Sequence, residues 1–148
     1  MATVKQLMST KTDGTNYLVD CDDTVLTALE IMAEANISAV MVTDDDKIVG
    51  IFTERDYSRK CELKGLSAKN TSVRDLMTEK MFTVKPETSM DQCMGLMKQH
   101  HIRHLPVIEN EKMVGMVSMR DVVDVLISER ESTIKGLENY ILGSGFAT

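Results

Sequence analysis

The segment G-x-x-T/S-x-R-D occurs twice, and it contains residue types that hold phosphates and sugars. The first copy, GIFTERD, starts at Gly50, and the second, GMVSMRD, starts at Gly115. In each copy an apolar run gives way to a polar one. A helix that follows a strand directly exposes free backbone N–H groups and the positive end of its dipole. The pattern therefore indicates an anion-binding junction that is written twice.

The hydroxyl and the carboxylate of each junction have different expected roles. Thr53 and Ser118 would meet a phosphate together with the free amides. Asp56 and Asp121 would accept hydrogen bonds from the two vicinal hydroxyls of a ribose. Gly50 would let the backbone pass close to a ligand. A capping box, in which hydroxyl and carboxylate satisfy only the helix's own amides, explains the same residues, and the sequence leaves both interpretations open.

The two junctions differ in the basic residues that follow them. Arg55 and Arg59 are four positions apart, so they share one face of a helix and can reach the same anion, and Lys60 follows. The second junction offers Arg120 and then an apolar and an acidic residue. We therefore expect a first site suited to several phosphates. The second site is expected to be weaker, selective for fewer phosphates, or empty.

The junctions end a longer repeat with a shift of 65 positions. Apolar residues at i, i+3, i+4 and i+7 predict amphipathic helices from Val25 to Met32 and from Met90 to Met97. Each helix is preceded by a short strand, YLV or FTV, and followed by two strands around a polar tetrad, DDDK or ENEK, which predicts a hairpin. One such unit is too small to bury both faces of its sheet, so we expect the two sheets to pack together.

The predicted fold class is α+β, with two tandem β-α-β-β-α repeats related by pseudo-two-fold symmetry. The first repeat covers residues 1–66, the second covers residues 67–127, and a C-terminal helical extension covers residues 128–148. The extension has apolar residues among charges and no counterpart in the first repeat. It either caps the second repeat or docks a partner or a second copy, and the sequence does not choose between these.

Composition argues against several classes of function. A net charge of −6 without a basic tract, 4% aromatic residues and no tryptophan disfavour nucleic-acid binding. No run approaches the roughly 20 apolar residues of a membrane span, and no leader is recognisable, so a cytoplasmic protein is expected. Three dispersed cysteines disfavour a disulfide or zinc framework. His100, His101 and His104 have no carboxylates at ligand spacing, so we expect no metal site and no catalytic group.

The duplicated GIFTERD and GMVSMRD, together with the strands ISAVMV and IRHLPV, resemble paired CBS domains of the cystathionine-β-synthase type, over about residues 4–127. The resemblance implies a stand-alone regulatory protein that is not an enzyme. It implies an adenine-nucleotide ligand, namely AMP, ADP, ATP or an NAD-type molecule, bound in clefts between the two copies. It also implies a homodimer of such pairs and signalling in trans to an unidentified effector protein.

The resemblance also assigns residues by position, with each cleft borrowing from the other copy. The phosphate-binding set that it implies is Thr53, Arg55, Arg59, Ser118, Arg120, Arg103 and His104. The ribose-binding residues are Asp56 and Asp121, and the neighbourhood of the adenine is Val19, Val40, Val84 and Pro106. The competing hypothesis is a ligand-free protein-interaction or oligomerisation module, in which both junctions are only capped helices.

Overall fold

Each repeat is built on a β-hairpin with a two-residue turn, as the polar tetrads predict. The computed structural model describes residues 2–10 and 17–141. Asp45 and Asp46 have φ of 52° and 64°, and Asn110 and Glu111 have φ of 52° and 65°. Two consecutive positive φ values are the geometry of the turn that matches the natural twist of a hairpin, and Asp and Asn tolerate it better than most residues.

The chain combines helices with antiparallel hairpins, and the first repeat has the predicted order β-α-β-β-α, so the predicted α+β fold class is confirmed. The strands are β1 (Leu18–Asp20), β2 (Ala39–Asp44), β3 (Lys47–Thr53), β4 (His104–Glu109) and β5 (Lys112–Ser118). The helices are α1 (Val4–Thr10), α2 (Val25–Ala35), α3 (Glu54–Asp56), which continues as a π-helical segment (Tyr57–Glu62), α4 (Val73–Leu76), α5 (Met90–His100) and α6 (Met119–Ile141).

The two sheets differ in their first strand. In the first repeat β1 runs parallel to β2, and β2 pairs antiparallel with β3. In the second repeat β4 and β5 pair antiparallel, but the expected strand FTV is reduced to a single parallel bridge between Val84 and Val107. Backbone hydrogen bonds on both sides of Val84, to Pro106 and Ile108, still hold this segment against β4.

Each repeat has its own hydrophobic core. The first core contains Val19, Cys21, Val25, Ala28, Met32, Val40, Val42, Phe52 and Cys61 of the first repeat. The second core contains Val84, Met90, Cys93, Met97, Leu105, Val107, Val117 and Val122 of the second repeat. In both cases the apolar face of the long helix packs on the hairpin, as the helical spacing predicts.

The short helices α1 and α4 are exchanged between the two cores. Val4 and Leu7 of α1, at the start of the chain, are buried in the second core. Val73 and Leu76 of α4, in the second half of the chain, are buried in the first core. The motif V-x-x-L-M thus opens each copy in the sequence but completes the core of the other copy. Neither repeat has a complete core without the other.

The two sheets pack against each other through a third cluster, as expected. Ala39, Met41 and Ile51 of the first sheet are buried there. Met113 and Met116 of β5 pack on them from the second sheet. Flexible methionine side chains fill irregular space between two sheets more readily than branched residues do. This cluster brings the repeats face to face.

The glycine of each junction makes room for a methionine. A Cβ on Gly50 would lie 2.9 Å from Sδ of Met77 and 3.0 Å from the carbonyl oxygen of Thr78. A Cβ on Gly115 would lie 2.5 Å from Cε of Met8. The close approach that we expected at Gly50 therefore exists, but it is made by the segment after α4. Thr78 also pairs with β3, through two backbone hydrogen bonds with Ile51.

The C-terminal extension continues α6 without a break. Val122 is the last fully buried residue of this helix, and every residue from 127 to 141 is exposed. Residues 142–148 of the predicted extension lie outside the described residues. No side chain from 127 to 141 is buried in the second core, although the Ala2 N–H donates to Oε1 of Glu129 at 3.0 Å.

Replacing Gly50 with alanine tests this packing. We expect Gly50→Ala to lower the free energy of unfolding by about 1–3 kcal/mol, because the new methyl group overlaps Met77 and a backbone carbonyl. Urea denaturation measures the change. Gly95→Ala is the control, since Gly95 lies in α5 with no atom within 4 Å of its Cβ position. That substitution should raise stability by up to about 1 kcal/mol, and equal losses from both would contradict the packing argument.

Candidate functional site

A cavity of about 390 Å³ lies between the two repeats, beside the junction at the end of β3. Its lining comes from three parts of the chain. The first repeat contributes Ser38, Ile51, Thr53, Glu54, Arg55 and Asp56. The segment after α4 contributes Thr78, Lys80, Met81 and Phe82, and the second repeat contributes Ile102, Arg103, His104 and Pro106. The first junction thus faces residues of the other repeat.

The first junction forms a complete capping box. The backbone N–H of Thr53 donates to Oδ2 of Asp56 at 3.0 Å, and the backbone N–H of Asp56 donates to Oγ1 of Thr53 at 3.0 Å. The capping-box interpretation of this motif is therefore correct. The capping box still leaves a hydrogen-bond donor at the junction, because the Thr53 hydroxyl accepts through its oxygen and keeps its own proton. That donor lies in the cavity wall.

The second oxygen of Asp56 is held by the segment after α4. Oδ1 accepts from the Thr78 hydroxyl at 3.0 Å and from Nζ of Lys60 at 3.0 Å. Nζ of Lys60 also donates to the Leu76 carbonyl at 3.1 Å and to the Thr78 hydroxyl oxygen at 3.2 Å. An ionised carboxylate offers about four acceptor positions, and the contacts of Asp56 occupy three of them. One acceptor position of Asp56 therefore remains for a further donor, and a second would become available only if Thr78 or Lys60 moved.

Basic groups from both repeats line the same cavity. Arg55, Lys80 and Arg103 contribute positive charge, against the carboxylates of Glu54 and Asp56. Burial of Asp56 to 8% exposure and its pairing with Lys60 leave the three cationic groups of the wall in excess. A cavity of this charge attracts a polyanion.

Two hydrogen bonds cross between the repeats at the cavity. Nη1 of Arg55 donates to the carbonyl of His101 at 3.0 Å, at the end of α5. Oγ of Ser38 and Nε2 of His104 are 3.0 Å apart and share a hydrogen bond. Ser38, Arg55 and His104 all line the cavity, so both bonds between the repeats lie beside it.

The structure separates the other predicted site residues. Of the adenine-neighbourhood residues only Pro106 lines the cavity, because Val19, Val40 and Val84 are buried in the hydrophobic cores. Arg59 is exposed and lies outside the cavity lining. Lys60 rather than Arg59 reaches the junction, because Lys60 is four positions after Asp56 and so lies on the same face of the helical segment.

Sequence reasoning missed the contribution of the segment after α4. Thr78, Lys80 and Phe82 lie at the cavity, and the Phe82 ring stacks on His100 with centroids 3.7 Å apart. The repeated LMT/LMS motif was the available signal for Thr78, since its recurrence before each copy marks a structural role. No signal of that kind exists for Lys80.

The second junction faces an acidic groove. Its capping box is also complete, with the Ser118 N–H donating to Oδ2 of Asp121 at 2.8 Å and the Asp121 N–H donating to Oγ of Ser118 at 3.1 Å. The groove beside it measures about 870 Å³, and its lining includes Asp91, Asp121, Asp124 and Glu129. Four carboxylates disfavour phosphate.

Among the described residues, the second junction also lacks a counterpart of the Lys60 contact. The counterpart of Lys60 at a shift of 65 positions is Val125, which lies in the groove wall. Arg120 is exposed and does not line the groove. Within residues 2–10 and 17–141, Thr53 and Asp56 thus border a cavity with three cationic residues, whereas Asp121 borders a groove lined by carboxylates.

A cluster with metal-ligand chemistry exists elsewhere, and an arginine occupies it. The ligand atoms of Asp20, Cys21 and Asp22 lie within 4.8 Å of one another. Nη2 of Arg74 is 2.7 Å from Sγ of Cys21 and 3.3 Å from carboxylate oxygens of Asp22 and Asp44. Burial raises the pKa of the Cys21 thiol, although Arg74 opposes this. A guanidinium thus fills the position that a cation would take.

Lys60 should stabilise the wall of the cavity measurably. We expect Lys60→Met to lower the free energy of unfolding by about 1 kcal/mol, because its partly exposed ammonium links Asp56 to Leu76 and Thr78. Arg59→Met is the matched control, since Arg59 is exposed on the same helical segment, and it should change stability by less than about 0.5 kcal/mol. Equal effects in urea denaturation would show that the Lys60 contacts contribute nothing.

Comparison with known proteins places this geometry in a family. The model of the CBS domain matches residues 4–62 and 73–128. The mitochondrial CBS domain-containing protein CBSX3 of Arabidopsis thaliana is 40% identical over 149 residues, 95% of this chain and 72% of the plant protein. A solved CBS-domain protein from Burkholderia ambifaria MC40-6 is 44% identical with a TM-score of 0.84, covering 86% of this chain and 95% of that chain.

One of the matched proteins is an enzyme, and the similarity covers only a small part of it. The inosine-5'-monophosphate dehydrogenase of Methanocaldococcus jannaschii is 32% identical over 107 residues, 71% of this chain but 20% of that enzyme. The similarity is confined to CBS sequence, and CBS domains are commonly regulatory, ligand-binding modules.

Among the described ranges, 2–10 and 17–141, no helix has the length and apolar character needed to cross a membrane. The chain belongs to the CBS-domain family and consists of two CBS domains in tandem.

Proposed function

We propose that this chain is a regulatory sensor that binds an adenine nucleotide in the cavity between its repeats and signals in trans to a partner protein. One observation carries the proposal: a single cavity joins the first junction, with Thr53 and Asp56, to Arg103 and His104 of the other repeat. CBS domains commonly bind adenine nucleotides. A ligand there contacts both repeats at once.

The groups around the cavity divide into three kinds of contact. The Thr53 hydroxyl and the cations of Arg55, Lys80 and Arg103 would hold phosphates. Asp56 would accept a ribose hydroxyl at its remaining acceptor position. The apolar wall, formed by Met81, Phe82, Ile102 and Pro106, would cover the base.

Signalling requires that the ligand favour one arrangement of the repeats over another. The bonds of Ser38 with His104 and of Arg55 with His101 hold the present arrangement. A phosphate that recruits Arg55 competes directly with the His101 carbonyl. The differential binding energy then comes from exchanging contacts between the repeats for contacts with the ligand. The effector, a homodimeric assembly and a cytoplasmic location complete the proposal, although one relative is a mitochondrial protein.

The nucleotide itself can be identified by thermal shift. AMP, ADP, ATP and NAD are the candidates, and a ligand present at about 100 times its dissociation constant should stabilise the folded protein by about 2.7 kcal/mol. Chromatography of the recovered ligand checks that it is not turned over. If none of these compounds shifts the melting temperature, the ligand-free interaction module becomes the better account. The exposed face of α6 is the observation that favours it.

The two junctions should differ in phosphate binding. We expect Arg103→Met to weaken ATP binding by about 10–100-fold, because a charged hydrogen bond contributes about 1.5–3 kcal/mol. Arg120→Met is the matched control at the second junction, and it should leave the affinity unchanged. Isothermal titration calorimetry gives both affinities and the stoichiometry.

Adenosine serves as the second control for this titration. It lacks phosphates, so Arg103→Met should leave its affinity nearly unchanged. Equal losses of ATP affinity from Arg103→Met and Arg120→Met would contradict the assignment of phosphate binding to the first cavity. Equal losses for ATP and adenosine from Arg103→Met would show that Arg103 supports the fold rather than the phosphate.

A further inference from the structure

The exposed part of α6 presents an apolar stripe with the spacing of a coiled coil. Its members alternate steps of four and three residues, which is the spacing of a and d positions in a heptad. They are Val123, Ile127, Arg130, Ile134, Leu137 and Ile141. The five apolar members are between 44% and 59% exposed. We call these six residues the α6 seam.

Within residues 2–10 and 17–141, this part of the helix has little of the packing that normally stabilises a helix; the Ala2 N–H donates to Glu129 near its start. Residues 127–141 extend for about 22 Å at 1.5 Å per residue, and all of them are exposed. The segment includes Ser132, Thr133, Gly136 and Asn139, which are weak helix formers. Isolated helices of about this length are marginal in water. The segment therefore requires a surface that covers the α6 seam.

We propose that the α6 seam packs antiparallel against the α6 seam of a second copy of this chain, with the two-fold axis near Ser132. This register places Val123 opposite Ile141, and Ile127 opposite Leu137, of the second copy. Every apolar member of the seam then faces another member. The proposal names a surface for the homodimer proposed above, and it does not depend on nucleotide binding.

Charge complementarity selects the antiparallel direction. A parallel, in-register pair would place Arg130 against Arg130 in one layer of the seam, which is repulsive. In the antiparallel register Arg130 lies opposite Ile134. Glu131 of the second copy is then about 4.5 Å along the axis, on the edge next to Arg130. Two arginines and two glutamates thus alternate at the centre of the pair. Among residues 2–10 and 17–141, neither Arg130 nor Glu131 forms an ion pair within the chain.

Cysteine cross-linking shows whether the two α6 helices run antiparallel or parallel. We expect Ile127→Cys and Leu137→Cys, mixed as separately tagged proteins and mildly oxidised, to form a disulfide between the two species. Neither variant should cross-link efficiently to itself. The native cysteines are all buried, so the wild-type chain gives the background. Self-cross-linking of Ile127→Cys would indicate a parallel pair, and the absence of any cross-link would show that the α6 seam does not pair with a second copy. Either outcome overturns the proposal.

Sedimentation equilibrium of the unliganded 148-residue chain measures how each seam residue contributes to association. Ile134→Asp should weaken association on the order of 100-fold, and Arg130→Glu or Glu131→Arg about tenfold each. Combining Arg130→Glu with Glu131→Arg should restore association, because the pair is exchanged in both copies. Lys135→Glu is the control, since Lys135 lies outside the seam. Association that is unaffected by Ile134→Asp would overturn the proposal.

Nucleotide binding separates this proposal from the proposed function. Ile134 is remote from the cavity, so the Ile134→Asp variant should bind nucleotide with wild-type affinity. A chain that pairs through α6 but binds no nucleotide would refute the sensor and leave the seam intact. A chain that binds nucleotide but forms no cross-link would refute the seam alone.

Discussion

The exchange of α1 and α4 between the two cores is the constraint on which the rest of the structure depends. Because Val73 and Leu76 must be buried in the first core, the chain leaving α4 is held against β3, where Thr78 pairs with Ile51 and Met77 lies over Gly50. The following residues then run along the junction toward the second repeat, which places Lys80 and Phe82 in the cavity wall. A cavity built in this way cannot form in one repeat alone, since its walls come from both repeats and from the segment that joins them.

A second consequence of the exchange is the placement of charge around Asp56. A carboxylate with 8% exposure needs hydrogen-bond donors, and the capping amide of Thr53 supplies only one. The Thr78 hydroxyl and Lys60 supply the others. At the second junction Val125 replaces the lysine, Asp121 is less buried, and carboxylates line the neighbouring groove. The same motif has therefore become two different environments, and the difference arises from residues outside the motif.

Features that depend on local spacing could be predicted from the sequence, and features that depend on tertiary packing could not. The repeat, the helices, the hairpins and the pairing of Thr53 with Asp56 depend on local spacing, and local spacing predicted them. The burial of Val19, Val40 and Val84 could not be predicted, because period-two alternation does not say which face of a strand meets a core and which meets a cavity. The pairing of Lys60 with Asp56 does follow local i,i+4 spacing, but the contacts of Lys60 with Leu76 and Thr78 depend on the path of the exchanged segment, as does the position of Lys80. Those contacts are tertiary effects without a local signature.

A contiguous set of contacts links the cavity to the exposed helix. Arg103 lines the cavity, and its carbonyl accepts a hydrogen bond of 2.8 Å from the backbone N–H of Met119, the first residue of α6. The equivalent bond in the first repeat joins the Ser38 carbonyl to the N–H of Glu54. Phosphate binding that draws Arg103 inward would therefore act on the start of the same helix whose far end carries the α6 seam.

A chain of contacts between two sites does not by itself couple them. Coupling requires a structural element that has two arrangements, and binding at each of the two sites must favour one arrangement over the other. We propose the hydrogen bonds across the cavity, between Ser38 and His104 and from Arg55 to His101, as this element, because a ligand could replace them and a dimer that fixes α6 could restrain them.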